Sequence, residues 1–185
     1  GLGDRRESLT EADFVGRSAE LAQLRDQLSR AAAGSGALTF VSAASGGGKT
    51  RLLTELCVDA EQAGARVFRG QATDHAARLP LKIFSGVVEA LRTDPALARM
   101  VRARLGDALE AVCEALPDLA DVLEPRREIL PGREEHGAAR TSLAVAALLH
   151  ALGDARRPAV VVIDDCQWAD EQSVEVVAEW RRTWE

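Results

Sequence analysis

Residues 38–53 read LTFVSAASGGGKTRLL, and no other stretch limits the fold as tightly. An apolar run, residues 38–41, gives way to a loop of small residues, after which Lys49 and Thr50 open a second apolar pattern. Across Ala43, Ala44, Ser45, Gly46, Gly47 and Gly48 no bulky side chain stops the backbone N–H groups from turning inward on one centre. A helix starting near Gly48 adds the partial positive charge of its N-terminus at that centre. Strand, glycine loop and helix in this order make a cradle for a polyphosphate. Lys49 then reaches the β- and γ-phosphates and the Thr50 hydroxyl takes a place on magnesium. Arg51, the next residue, joins the same candidate set. The strict pattern has glycine at the first loop position, where this chain has Ala43; alanine serves there while its φ stays negative. GGGKT alone also suits a flexible turn. The strand before it and the amphipathic helix after it select the phosphate cradle.

A chain of 185 residues, 46% hydrophobic and 28% charged, can bury one core of useful size. Its net charge of −6 argues against nonspecific binding to nucleic acid or to an acidic membrane. No apolar run approaches the ~20 residues of a membrane span, and the first residues lack a signal-peptide core. Cys57, Cys113 and Cys166 are far apart and odd in number, which suits a reducing compartment without a disulfide frame. The expected location is cytoplasmic.

Taken in order, residues 1–13 carry no period and read as an arm. Residues 19–33 repeat Leu21, Leu24 and Leu28 at helical spacing, with Ser18 as N-cap and Glu20 in the first turn. Residues 37–42 read as the first strand. The helix after the loop runs from Lys49 to about Ala63, facing Leu52, Leu53, Leu56 and Cys57 inward. Residues 65–70 (ARVFRG) suit a second strand, and 71–78 a polar loop. Helices then follow over 81–91, over 96–105 behind Asp94 as cap and Pro95, up to Leu116 behind Asp107, and from Pro117 to Leu123. Residues 124–133 break the pattern, and 134–152 read as a long helix.

The second informative stretch is residues 159–170, AVVVIDDCQWAD. A β-branched run without alternation reads as a strand buried on both faces, as in a parallel sheet. It delivers Asp164 and Asp165 at its C-terminal end, where open α/β sheets place their ligands. Adjacent carboxylates repel unless water or a cation holds them. Asp164 suits the magnesium position, through water, and Asp165 suits polarising the attacking water. Residues 171–184 form a last helix with Val174, Val177, Trp180 and Trp184 at helical spacing, the tryptophans as packing. His75, His136 and His150 have no metal-ligand spacing, and nothing marks a cysteine as an activated nucleophile. Arg69, Arg126, Arg127 and Arg133 are all open as sensors of a γ-phosphate.

With both motifs in view, the chain resembles the AAA-like, STAND-type signalling ATPases of bacteria, found in large LuxR-type transcriptional regulators, in kinase-fused sensors and beside adenylyl cyclase domains. The resemblance has three parts: Phe14, Val15, Gly16, Arg17, Ser18, Ala19, Glu20 and Leu21 match a leading (F/L)VGRxxEL box; residues 41–53 match the P-loop; residues 161–170 match an hhhDDxQWAD box. Gln167, Trp168, Ala169 and Asp170 are not demanded by Walker B chemistry in general, so the last part is specific. The resemblance implies a three-layer α/β/α fold of P-loop NTPase type with a parallel sheet. Residues 14–185 would be its N-terminal part, incomplete after the Walker B helix, and about 71–152 a helical insertion.

It also implies ATP or ADP as ligand with Mg2+, and it places Gly16 and Arg17 near the adenine. A sensor strand, a fifth strand, a helical lid and an output domain are expected in such proteins beyond Glu185, and DNA is contacted only through that output domain. Because a further strand is expected between residues 37–42 and the 159–163 strand, the chain is expected to rearrange its sheet or to borrow an element from another copy. The function expected is slow ATP hydrolysis by a conformational switch. The rival is a nucleotide-gated interaction module without need of hydrolysis, and a small-molecule kinase lacks support in DDCQWAD.

Overall fold

The computed structural model describes residues 17–44, 47–72, 80–125 and 137–184. Helix α1 spans Ser18–Ala32 and buries Leu21 and Leu24. Its ladder begins one residue earlier than expected, because the Leu21 N–H already donates to the Arg17 carbonyl at 3.0 Å. Arg17 is therefore the N-cap, without a side-chain cap bond, and Ser18 is the first helical residue. Helix α2 spans Lys49–Gln62 and buries Leu52, Leu56, Cys57 and Ala60. These two helices share a small core of Leu21, Leu24, Leu52 and Leu56, against which Val41 packs.

The sheet has two strands, β1 (Arg66–Gln71) and β2 (Ala159–Asp164), paired in parallel from Arg66 opposite Ala159 to Gln71 opposite Asp164. Parallel pairing needs a crossover, here the helices between them. This is a helix-rich α/β fold consistent with part of a P-loop NTPase-type architecture.

Two expectations are corrected. Residues 37–42 form no strand: Leu38 is 40% and Phe40 76% exposed, and no described backbone hydrogen bond joins them to β2. A cleft of about 940 Å³ lies between the two segments, with Leu38, Phe40 and Val41 on one wall and Val160 and Val162 on the other. A strand is defined by the edge it pairs with, so β-propensity alone leaves this run extended and unpaired. For the same reason β2 is half-buried along its whole length, not buried on both faces: β1 covers one edge and the cleft opens on the other.

The larger core is helical. Lys82–Phe84 makes a 3₁₀ turn into α3 (Ser85–Thr93), so the helix expected from Leu81 begins only at Ser85. Asp94 caps α4 (Pro95–Leu105) as expected, accepting from Ala96 N at 2.9 Å and Leu97 N at 3.0 Å. Asp107 caps nothing, because the chain passes through a 3₁₀ turn, Gly106–Ala108, straight into α5 (Leu109–Ala115). Another such turn, Pro117–Leu119, leads to α6 (Ala120–Leu123). Helix α7 (Ala138–Ala151) supplies Val145, Leu148 and Leu149, each essentially fully buried, to this core. β1 seats on α3 by a backbone approach so close that a Cβ on Gly86 would lie 1.8 Å from the Arg69 carbonyl oxygen.

Helix α8 (Glu171–Arg182) buries Ser173 and Val176, whereas Val174 is 58% exposed on the cleft. Trp180 packs on the large core and meets Trp184 edge-on at 4.9 Å. Trp184 lies over Gly36, where a Cβ would come within 2.5 Å of its ring. Trp180 and Trp184 are packing residues.

The turn entering β2 is held by charge. Asp154 accepts from Arg104 and from the backbone N–H groups of Arg156 (2.8 Å) and Arg157 (2.9 Å). The Arg104 guanidinium and those two N–H groups hold the Asp154 carboxyl well below the usual range, at about 2. Among the described residues no helix is long and apolar enough to cross a membrane.

Candidate nucleotide site

The N-terminus of α2 and the C-terminus of β2 meet. The Thr50 hydroxyl donates to Asp164 Oδ2 at 2.9 Å, bridging the glycine loop to the acidic pair across 114 residues of sequence. The other Asp164 oxygen accepts from the backbone N–H of Asp165 at 2.9 Å, so the carboxylate is fixed at both ends. A hydroxyl and a carboxylate are hard oxygen donors; this pair fits a magnesium ion shared with phosphate oxygens better than a full protein cage.

Lys49 Nζ donates to the Ala43 carbonyl at 2.8 Å and to the Ala44 carbonyl at 3.4 Å. The ammonium thus spans its own loop. Gly47 donates to the Ala44 carbonyl at 2.9 Å, and Gly48 enters α2 at φ 74°, a conformation glycine takes without strain. The Arg17 guanidinium lies beside this turn, 3.4 Å from where a Gly47 Cβ would stand. The structure thus brings Arg17, Ala43, Ala44, Gly47, Gly48, Lys49, Thr50 and Asp164 into one region. Arg51 lies on the exposed side of the first turn of α2. Gly16, Ser45 and Gly46 lie outside the described residues, as do His75, His136, Arg126, Arg127 and Arg133.

Asp165 follows β2 at φ 54°, a left-handed conformation that Asp adopts more readily than most residues. Its Oδ2 accepts from Gln71 Nε2 at 3.1 Å and its Oδ1 from Gln167 Nε2 at 3.3 Å. The repulsion expected between neighbouring carboxylates is met by giving each its own donors. Asp170 caps α8, accepting from Ser173 N at 2.9 Å and Ser173 Oγ at 2.5 Å, and also from Leu81 N at 3.2 Å. The DDCQWAD stretch is therefore locked from strand to helix.

Arg69 lines a small cavity of about 60 Å³ with Thr50, Cys57 and Asp164. Burial pushes the Cys57 thiol up, and Arg69 partly opposes that. Sequence reasoning missed Gln71. Its signal was position: the last residue of a strand paired with the acid-bearing one stands where open parallel sheets gather ligand groups.

Comparison with known proteins yields no matching curated protein and no matching solved structure. The AAA ATPase domain profile matches residues 13–182, a span that takes in the glycine loop, Thr50 and the whole DDCQWAD stretch, and the chain belongs to that family.

Proposed function

We propose that the chain binds Mg-ATP at the junction of α2 and β2 and hydrolyses it slowly, as a conformational switch in bacterial signal transduction or transcription control. The Thr50–Asp164 hydrogen bond carries this reading, since it joins the start of the helix after the glycine loop to the acidic end of β2. Lys49 exchanges the loop carbonyls for the β- and γ-phosphates. Ala43, Ala44, Ser45, Gly46, Gly47 and Gly48 offer backbone N–H groups to the phosphates. Arg17 adds a second cation beside that loop, and Gly16 and Arg51 complete the set of residues assigned to the nucleotide. Thr50 and Asp164 hold magnesium, which supplies charge neutralisation across the transferred phosphoryl group. Asp165 orients and polarises the attacking water.

Calorimetric titration tests this. Wild-type protein is expected to bind Mg-ATP, Lys49→Ala to lose at least about ten-fold in affinity, and Asp164→Asn to lose the magnesium dependence. Equal affinity in all three would overturn the site.

The open cleft between residues 37–42 and β2 favours a second reading, a nucleotide-gated interaction module in which occupancy alone selects a conformation. Asp165→Asn separates the two: it traps the ATP-bound state if hydrolysis resets the switch and changes nothing if occupancy suffices. Self-association through the cleft, a cytoplasmic location, and contact with DNA only through an output domain belong to this proposal, as does the division into an arm (1–13) and an ATPase core with a helical insertion at about 71–152.

A further inference from the structure

We propose that Asp170 and Leu81 form a latch that couples the acid-bearing turn after β2 to the entry of the helical side. The inference rests on the reading of Asp164 and Asp165 as the magnesium end of a nucleotide site, and concerns what that end is tied to. Asp170 does more than an N-cap needs. Its Oδ1 accepts from Ser173 N at 2.9 Å, which suffices to cap α8, while its Oδ2 accepts from Ser173 Oγ at 2.5 Å and from Leu81 N, 89 residues upstream, at 3.2 Å. Leu81 is held at φ 64° and ψ 10° with its side chain buried. A left-handed conformation is an outlier for a residue of that bulk and persists only where its surroundings enforce it. Its N–H is taken by Asp170 and its carbonyl accepts from Phe84 N at 3.0 Å. The same turn presses on β1, where a Cβ on Gly70 would lie 1.8 Å from the Ile83 carbonyl oxygen.

The path from the acids to this latch has little slack. Asp165 and Asp170 are joined by the 3₁₀ turn Cys166–Trp168, closed by Trp168 N on the Asp165 carbonyl at 3.0 Å and Ala169 N on the Cys166 carbonyl at 3.1 Å. Filling the site fixes Asp164, and the turn carries that fixation to Asp170. On the far side stands a residue with two arrangements: left-handed while the carboxylate holds its N–H, relaxed to the right-handed region once it is let go. The charge-assisted hydrogen bond and the left-handed strain of a leucine are similar in size and opposite in sign, so small displacements of Asp170 decide between them.

Three measurements on the whole chain test this. In amide hydrogen exchange read by NMR on the wild type, saturating Mg-ATP is expected to slow the Leu81 amide several-fold and to leave Leu97, held by the Asp94 cap away from the site, unchanged. In Asp170→Ser a single hydroxyl oxygen can cap α8 but cannot also hold Leu81. Its Leu81 amide is expected to exchange about ten-fold faster than in the wild type, with no response to Mg-ATP; unaltered Leu81 exchange overturns the latch. In urea, Leu81→Gly is expected to unfold at a higher midpoint than Leu81→Ala, the reverse of the usual order, because only glycine takes the positive φ without strain. A higher midpoint for the alanine variant overturns the strained arrangement. Wild-type calorimetry tells the two levels apart: absent Mg-ATP binding removes the site reading and the coupling with it, whereas normal binding with no change at the Leu81 amide removes the coupling alone.

Discussion

The two cores of the chain differ in size and in what they carry. Among the described residues, the larger gathers twenty-three buried side chains from β1, α3 to α8 and the turns between them, and the smaller only Leu21, Leu24, Leu52 and Leu56. The larger core supports the acidic end of β2, fixed by Gln71, Gln167 and the α8 cap. The smaller holds the glycine loop, with residues 37–42 lying open beside it. The acids thus stand on the firmly held side and the glycine loop on the lightly held one. Local opening draws on the regions with least buried apolar contact, so nucleotide is expected to order the α1–α2 side more than the helical side.

The sharpest way to break this comparison is to cut a cavity in each core. Leu148→Ala, at a fully buried α7 position, is expected to cost about 2–5 kcal/mol by chemical denaturation, and Leu24→Ala roughly 2 kcal/mol or less, because a four-residue cluster beside an open segment rehydrates more easily. An equal or larger loss at Leu24 would contradict the ranking. Next comes the β1–α3 seat: Gly86→Ala places a carbon against the Arg69 carbonyl, so backbone must shift, and about 1–3 kcal/mol is expected to be lost. A Gly86→Ala protein as stable as wild type would show that the helical side yields more than its packing suggests.

A smaller effect concerns the turn entering β2. The Asp154 carboxyl is held at about 2, below its unfolded value near 3.9. Its contribution is therefore complete above pH ~4 and fades as pH falls toward ~2. Urea midpoints of wild type and Asp154→Asn should differ at pH 6 and converge near pH 2; parallel curves would remove Asp154 from the account. The smallest perturbation uses the thiols. Cys166 is exposed, while Cys57 on α2 and Cys113 on α5 are buried, the latter pushed up to about 11 by burial. A thiol reagent should label Cys166 at once, then Cys57 through opening of α2, and Cys113 last. Cys113 reacting before Cys57 would reverse the comparison.

Much of the site could be read from local pattern. Gly47, Gly48, Lys49 and Thr50 were legible as a small-residue loop entering a helix because both are properties of neighbouring residues, and Asp164 and Asp165 stood out at the end of a β-branched run. Asp94 was legible as a cap since its carboxylate serves N–H groups two and three residues ahead. Asp107 has the same local signal and caps nothing, because a 3₁₀ turn runs through its position. Gln71 had no local signal at all; its role depends on which strand lies beside β1.

The order of chemistry along the chain, from apolar run through small-residue loop and helix to an acid-bearing strand, was determined by sequence alone, because each part is built from residues a few positions apart. Which strands pair was decided by tertiary structure. Residues 37–42 have strand composition and stay unpaired, while residues 66–71 take the place beside β2, because backbone edges are satisfied only by a partner that the rest of the fold brings within reach.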